Sequence, residues 1–531
     1  MITSKEALSK LHNYIGPKGR IAFFSAFLGG LLTHIPAMVS DIPNHDGLAS
    51  MYFDQNMITS GRWFLGTACA PSSFFTLPWI IGVLAVLYIS LAAMALREIF
   101  DINDPLFIVL SSLVLVTFPG LSSNFAYVFT MDGYMLGMLL CVLSVWCVKV
   151  TASEEEKKGF FKKANFGWII GGVLLAFGMG CYQSYVCIAM LLCLVKAAEL
   201  LFCKKNIREV LRYLYMGAFG VLLYYVLLTV LLKLQGKVLD TYQGINGMSE
   251  GNGLSLIGTL KLVYSDFLKF SLRGRCFTTN IGVTVAILVL LAVFAYLFIR
   301  KALAEHYFKK PLFYIVSALF VILLPLMMNA ILFISAEVVY HVLMRYQWAF
   351  LIAVLVALTG KLLESKEGLE KSLTVCEALS SWIVLGSLTV IIVSYAVTCN
   401  LSYSNLQKKY EKTYSYCLRL ADRIEQTEGY YQGIPVALVG VVGEDSYPLT
   451  DVTGEYTSDL LGISGDYLLY KSENYGEFFK NYLGISFNMV SSDEVINFYD
   501  EDFYATMPSF PAKGSVLLHD GTIYVKTENI R

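Results

Sequence analysis

The sequence predicts a polytopic α-helical membrane protein with a small α+β domain at its C-terminal end, and three observations predict this fold class. The chain of 531 residues is 56% hydrophobic and only 15% charged, whereas soluble domains contain about 25% charged residues. Apolar stretches long enough to cross a hydrocarbon core of about 30 Å recur as far as residue 399. From about residue 401 the composition becomes that of a soluble protein. We therefore assign residues 1–400 to a membrane domain and residues 401–531 to a soluble domain.

The apolar stretches predict eleven membrane spans. The third and fifth are short, and the fifth and sixth meet at residues 182–184, which fits either a helical hairpin or a span followed by a re-entrant segment. The predicted spans are 20–40, 76–96, 105–119, 131–150, 166–182, 184–203, 212–234, 281–300, 311–335, 346–364 and 377–399.

The orientation of these spans follows from their basic residues, which are retained on the cytoplasmic side. With the N-terminus inside, the inner segments contain 22 Lys and Arg and the outer loops contain 7. Residues 1–18 are polar and show no cleavage site, so we expect the first span to remain as an anchor. The pattern predicts a plasma-membrane protein with a cytoplasmic N-terminus and an extracytoplasmic C-terminal domain.

The C-terminal domain contains 19 acidic and 10 basic residues. Its pattern predicts a helix over 403–426, a buried strand over 434–442, and two further strands over 514–518 and 522–526. It has no P-loop, dinucleotide-binding fingerprint or nucleophile elbow, and the glycines at 440–443 are too few to indicate phosphate binding.

Charge and cysteine content exclude other classes. A formal net charge of −1 gives no basic surface for nucleic acid. Ten of the eleven cysteines lie in or beside apolar stretches, and none has zinc-site spacing. We therefore predict neither a structural metal nor a disulfide framework. We also predict no cofactor, and a requirement for a divalent metal is left open.

Loop 1, which we define as residues 41–64, is the densest group of polar residues. Asp41, Asp46 and Asp54 could each accept a proton from an attacking hydroxyl group, and Arg62 could bind a leaving phosphate with two parallel hydrogen bonds. The alternatives are that Asp41 caps a helix, that Asp54 is only solvated, and that Arg62 binds lipid.

Other polar residues lie at the predicted outer ends of the spans. Asp132 begins the fourth span, where it either stabilises the helix start or contacts substrate. Tyr182 and Gln183 could bind sugar hydroxyls or pack two helices together. We count all three as candidate substrate-binding residues.

Three further candidates are spaced four residues apart. Glu337, His341 and Arg345 would share one face if the segment were helical. Arg345 is then a second candidate for binding donor phosphate, and Glu337 and His341 could bind substrate. An ordinary stripe of ion pairs is the alternative. The glycine-rich segment 241–253 is predicted to be a mobile cover or a linker.

Enzymes and transporters differ in where such groups lie. A secondary transporter is expected to have carboxylates or broken helices near the midplane, and repeated halves. The sequence shows neither feature. Polar groups collected at one face favour an enzyme that uses a membrane-embedded donor, and a transporter or flippase for a lipid-linked sugar remains the alternative from another class.

A family resemblance rests on four segments in order. They are Asn44-His45-Asp46, Gly61-Arg62-Trp63, Phe129–Tyr134 and Gly180–Ser184. This succession resembles the bacterial Gtr-type membrane glucosyltransferases (glucosyltransferase II), and the C-terminal region is similar to that of the Gram-positive members.

The resemblance implies a GT-C-like membrane glycosyltransferase. Such an enzyme would move glucose from a polyprenyl phosphate to a cell-envelope glycan or lipid on the outer face, with inversion at the sugar carbon and without a nucleotide-sugar site. The family often has paired acids where this chain has His45-Asp46, so His45 joins the substrate-binding candidates and either Asp46 or Asp41 could be the base. A polysaccharide polymerase or ligase that uses a lipid-linked glycan is the alternative enzyme.

Overall fold

The structure is a computed structural model, and it describes most of the chain. The glycines at 440–443 and most of segment 241–253 lie outside the described residues. The described residues are 3–48, 56–72, 74–152, 166–202, 207–241, 244–247, 254–364, 375–439, 457, 460, 462–463, 468–469 and 471–527.

A helix lies at each of the eleven apolar stretches. Within the described residues, eight helices are long and apolar enough to cross a membrane, α4 and α5 make a ninth candidate bent by 45°, and α7 and the apolar part of α14 are shorter. The helical membrane fold is therefore confirmed, and the count of eleven spans stays a prediction. The helices up to residue 425 are α1 Ser4–Val39, α2 Leu65–Ala68, α3 Pro78–Ile99, α4 Pro105–Thr117, α5 Gly120–Ala126, α6 Val128–Ala152, α7 Gly167–Cys181, α8 Val186–Phe202, α9 Ile207–Gln235, α10 Leu256–Arg273, α11 Ile281–Ala304, α12 Pro311–Met328, α13 Ile331–Ile334, α14 Gln347–Glu364 and α15 Val375–Glu425.

Local sequence explains where several helices begin. Pro78, Pro105 and Pro311 each occupy the first turn, where a missing N–H costs nothing. The Asp104 carboxylate accepts the Leu106 N–H at 2.7 Å and so caps α4.

One end of the helix bundle is tied together by ion pairs between predicted inner residues. Lys149 pairs with Asp101 and donates to the Glu98 carbonyl at 2.7 Å. Lys196 and Lys361 both pair with Glu199. Lys196 also lies 3.9 Å from Asp101, so these contacts join α6, α8 and α14 to the end of α3. Lysines from three predicted inner segments therefore lie at the same end of the bundle.

The sequence predicts an outer loop at residues 256–273, and the structure shows helix α10 there. Its Val263 and Phe270 are buried, whereas Leu256, Ile257 and Leu272 are exposed. The segment has no long apolar run that would predict a membrane span, and only the 3.6-residue periodicity of its apolar residues indicates a helix.

Helix α15 continues from the last predicted span into the C-terminal domain. Its 51 residues correspond to a length of about 75 Å, more than twice the ~30 Å hydrocarbon core. The proposed boundary at residue 400 falls inside this helix. Tyr403 and Leu406 belong to the core of the membrane domain, whereas Tyr416 and Leu420 belong to the core of the C-terminal domain.

The described C-terminal domain is built on a four-stranded mixed sheet with the order β2-β1-β4-β3. Strand β1 is parallel to β2 and β4, and β3 is antiparallel to β4. Val436 and Leu438 face the core formed with α15, while Ala437 and Val439 face a second core, so both sides of the sheet are covered. The elements are β1 Pro435–Val439, α16 Ser472–Phe478, β2 Asn488–Met489, α17 Ser492–Val495, α18 Asp502–Thr506, β3 Val516–His519 and β4 Thr522–Lys526.

Candidate functional site

The first part of loop 1 is a short turn organised by Asn44. Its buried side-chain oxygen accepts the N–H groups of Asp46 and Gly47 at 3.0 and 2.9 Å and caps a 3-10 helix over His45–Gly47. Asp46 is exposed at this turn. The cap fixes the backbone that carries Asp46 while leaving its carboxylate accessible. Asp54 lies outside the described residues, as does the side chain of His45.

The second part of loop 1 is a tight turn that presents Arg62. The Arg62 N–H donates to the Met57 carbonyl at 3.1 Å across an isolated β-bridge. Gly61 makes the reversal with φ of 78°, a left-handed conformation that favours glycine. The Tyr224 hydroxyl donates to the Gly61 carbonyl at 3.0 Å. The turn is thus attached to α9 directly before Arg62.

The Arg62 guanidinium is oriented by two stacked tyrosines. Its Nη1 donates to the Tyr134 hydroxyl at 2.8 Å, and its Cζ lies 4.8 Å from the Tyr182 ring centroid. The two tyrosine rings stack at 4.5 Å. The Tyr134 hydroxyl also lies within electrostatic range of Asp46. The guanidinium is therefore held by a hydroxyl and by ring faces, near the 3-10 turn that carries Asp46.

The segment Gly180–Ser184 packs directly on the arginine turn. The Phe64 N–H donates to the Gly180 carbonyl at 2.9 Å, and the Gln183 amide donates to the Ser60 carbonyl at 2.6 Å. A Cβ atom at Gly180 would lie 2.7 Å from the Trp63 ring, so only glycine allows this approach. Gln183 therefore has a structural role in this arrangement, and Tyr182 supports Arg62.

The four segments that support the resemblance meet in space. Arg62 joins the second to the third through Tyr134, and Trp63 joins the second to the fourth. A Cβ atom at Gly47 would lie 3.6 Å from the Phe129 ring, which brings the first segment to the start of α6. Residues separated by as many as 140 positions thus form one cluster, which we call the Arg62 cluster.

Asp132 lies beside this cluster but faces another way. Its side chain is fully buried, Oδ1 accepts the Gly133 N–H at 2.9 Å, and Cys69 and Ser72 lie beside the carboxyl. Positions two residues apart on a helix point in different directions, so Asp132 and Tyr134 do not share a face. Direct contact between Asp132 and a substrate would require the short helix α2 to move.

Glu337, His341 and Arg345 do not lie on one helix. Helix α13 ends at Ile334, the chain is extended or bent as far as His341, and residues 342–344 form one 3-10 turn. The spacing of four residues therefore does not bring these three side chains onto one face. Glu337 is exposed and lies beside Gly244.

Arg345 forms a buried ion pair with Asp266. Its Nη1 and Nη2 donate to the two Asp266 carboxylate oxygens at 2.7 and 2.9 Å, and its Nε donates to the Tyr340 carbonyl at 3.0 Å. Each of its three nitrogens has a protein partner, so this geometry gives no support to a phosphate-binding role. The pair holds α10 against the start of α14.

Asp41 lies on the other side of loop 1, towards the C-terminal domain. Partial desolvation raises the pKa of this exposed carboxyl above its ordinary value. Tyr410 and Tyr482 lie within electrostatic range of it. Asp41 and Asp46 thus have different surroundings, although five positions separate them.

The described residues contain no group of three or more His, Cys, Asp and Glu side chains that could hold a metal ion. The predictions on metal and cofactor requirement remain predictions. The sequence does not predict roles for Asn44, Tyr134 and Asp266. Asn44 and Tyr134 lie inside the segments that support the family resemblance, and this position is a signal that could identify them. No feature of the sequence indicates Asp266 as the partner of Arg345.

One comparison with known proteins finds a match, and it covers all four segments. The family described as Glucosyl transferase GtrII matches residues 35–355, which is more than half of the chain and includes every candidate site residue. The comparisons with curated proteins and with solved structures find no match. The chain therefore belongs to the GtrII glucosyltransferase family, and it is a glucosyltransferase embedded in a membrane.

Proposed function

We propose that this protein transfers glucose, or a related hexose, from a polyprenyl-phosphate donor to a glycan or lipid of the cell envelope on the outer face of the plasma membrane. The observation that carries the proposal is the Arg62 cluster, in which an oriented guanidinium lies near the turn that bears Asp46. A guanidinium binds phosphate oxygens with two hydrogen bonds, and an exposed carboxylate can accept a proton.

The proposed reaction is a single displacement. The Asp46 carboxylate removes the proton of the acceptor hydroxyl while that oxygen forms a bond to the sugar C1 atom. The bond between C1 and the phosphate oxygen breaks, and its electron pair leaves with the polyprenyl phosphate. Arg62 stabilises the charge that develops on this leaving oxygen. Attack opposite the leaving group inverts the configuration at C1.

Reconstitution tests the donor class. The full chain in proteoliposomes is given radiolabelled glucosyl polyprenyl phosphate, or UDP-glucose, together with an envelope extract as acceptor. We expect transfer from the lipid-linked sugar alone. Transfer from UDP-glucose would contradict the proposal. Elongation only with a lipid-linked glycan would indicate a polymerase or ligase. Movement of the donor across the bilayer without transfer would indicate a flippase.

Labelling of intact cells tests the face of the membrane. Lys513 is exposed in the C-terminal domain, and Lys309 is exposed in a predicted cytoplasmic segment. A membrane-impermeant thiol reagent should label Lys513→Cys in intact cells and Lys309→Cys only after lysis, against the unsubstituted chain as background. Labelling of Lys513→Cys only after lysis would reverse the proposed orientation.

A further inference from the structure

Loop 1 is held by the C-terminal domain as well as by the membrane helices. Leu48 is 1% exposed and belongs to the hydrophobic core of the C-terminal domain, together with Tyr416 and Phe478. The Asn481 amide donates to the Leu48 carbonyl at 2.8 Å. The residue two positions after Asp46 is therefore anchored in a domain that lies more than 350 positions further along the chain.

A second contact joins the same two parts. A Cβ atom at Gly462 would lie 3.1 Å from Ala126 and 3.5 Å from the Asn44 amide nitrogen. The Asn405 amide donates to the Thr457 hydroxyl at 2.9 Å. The C-terminal domain thus touches the end of α5 and the turn that carries Asp46, and we call this junction the loop 1 seam.

Aromatic side chains and one carboxylate border the loop 1 seam. The Tyr482 ring stacks on Phe478 at 5.2 Å and meets Tyr410 edge to face at 5.8 Å. Tyr410 and Tyr482 are both partly exposed, and Asp41 is exposed within electrostatic range of both. The two tyrosine rings are therefore in contact, and Asp41 lies near enough to both to interact electrostatically with them.

These groups have the chemistry that recognises a carbohydrate. A carboxylate accepts hydrogen bonds from sugar hydroxyls, a tyrosine hydroxyl both donates and accepts, and aromatic rings pack on apolar C–H surfaces. In the proposed reaction the acceptor, like the donor, must reach the Asp46 carboxylate. The C-terminal domain contacts loop 1 at Leu48, two residues after Asp46.

We propose that Asp41, Tyr410 and Tyr482 form the subsite that binds the acceptor glycan, and that Leu48 and Asn481 position this subsite relative to Asp46. This inference rests on the proposed function, since it assigns the second substrate of the same reaction. It gives the C-terminal domain a direct part in substrate binding, although that domain lies outside the region matched to the family.

Kinetics in proteoliposomes test the subsite through the two substrates separately. Initial rates are measured with glucosyl polyprenyl phosphate at graded dilutions of envelope glycan, and then with the donor varied. Tyr482→Phe keeps the ring packing and removes the hydroxyl, so the apparent KM for glycan should rise about 2- to 10-fold, the range of one hydrogen bond, with the donor KM unchanged. Tyr482→Ala should raise it further. Tyr431→Phe, at a tyrosine 61% exposed in the same domain, is the matched control.

A binding measurement separates this inference from the proposed function. Fluorescently labelled envelope glycan is titrated against the full chain in detergent without donor, with thermal melting to check that each variant is folded. Weaker binding by Tyr482→Phe and Tyr482→Ala than by Tyr431→Phe is the expected result. Equal binding by all variants would overturn the subsite even if transfer is observed. If the wild type transfers no glucose but the variants bind glycan more weakly, the proposed function is overturned and the glycan-binding site remains.

Discussion

Arg62 and Arg345 lie on the same predicted side of the membrane and both contact aromatic rings, but their surroundings differ. Arg345 forms a bidentate ion pair with Asp266, and both of these side chains are largely buried. Arg62 donates to the Tyr134 hydroxyl and lies over the Tyr182 ring, and these two contacts orient its guanidinium. The comparison shows that the position of an arginine in the sequence does not identify it as a phosphate ligand. The partners of its guanidinium in the structure must be known as well.

The largest expected difference between the two arginines is in turnover. Arg62→Gln should lower kcat on the order of 100- to 1,000-fold, the usual cost of removing one group that stabilises developing charge. Arg62→Lys should keep only part of the activity, because lysine supplies charge without the planar fork. Kinetics in neutral and anionic liposomes measure both variants. Full activity of Arg62→Gln in either lipid would remove Arg62 from the mechanism.

The second expected difference is in stability. Arg345→Gln leaves the Asp266 carboxylate largely buried without its charged partner, which typically costs about 3–5 kcal/mol. A lower thermal transition in detergent should report this loss. Arg345→Gln combined with Asp266→Asn should recover part of it, since the unpaired charge is then absent. If Arg345→Gln melts like the wild type while donor KM rises, Arg345 binds substrate after all.

The smallest effect concerns the pH dependence of Asp41. Desolvation raises the pKa of this carboxyl above its ordinary value of about 3.9. The ionised form, which accepts hydrogen bonds, is therefore lost at a higher pH than for a solvated aspartate. The apparent KM for glycan should rise as the pH falls through this raised pKa, and Asp41→Asn should flatten the profile. A wild-type profile that matches that of Asp41→Asn would exclude this role.

The sequence predicts the membrane helices well because long apolar runs allow few other structures in a bilayer. It fails for Glu337, His341 and Arg345 because spacing shows a common face only if the segment is helical, and α13 ends before them. Asp266 could not be predicted as the partner of Arg345, since the two are separated by 79 positions and no local pattern connects them.

Loop 1 shows the same limit. The four resembling segments could be recognised in the sequence, and they meet in the Arg62 cluster. The burial of Leu48 in the C-terminal domain could not be inferred, because no local pattern connects this residue with a domain more than 350 positions further along the chain. The boundary at residue 400 missed the continuity of α15, since the composition changes within a helix that does not end there.

The most direct test of the account is the turnover of Asp46→Asn beside that of Asp41→Asn, both in proteoliposomes with glucosyl polyprenyl phosphate. An amide keeps the shape of the carboxylate but cannot accept the proton. Asp46→Asn should therefore lose about 100- to 10,000-fold in kcat with unchanged insertion and melting, whereas Asp41→Asn should mainly raise the apparent KM for glycan. Near-normal turnover of Asp46→Asn, with loss of turnover in Asp41→Asn, would contradict the assignment and make Asp41 the base.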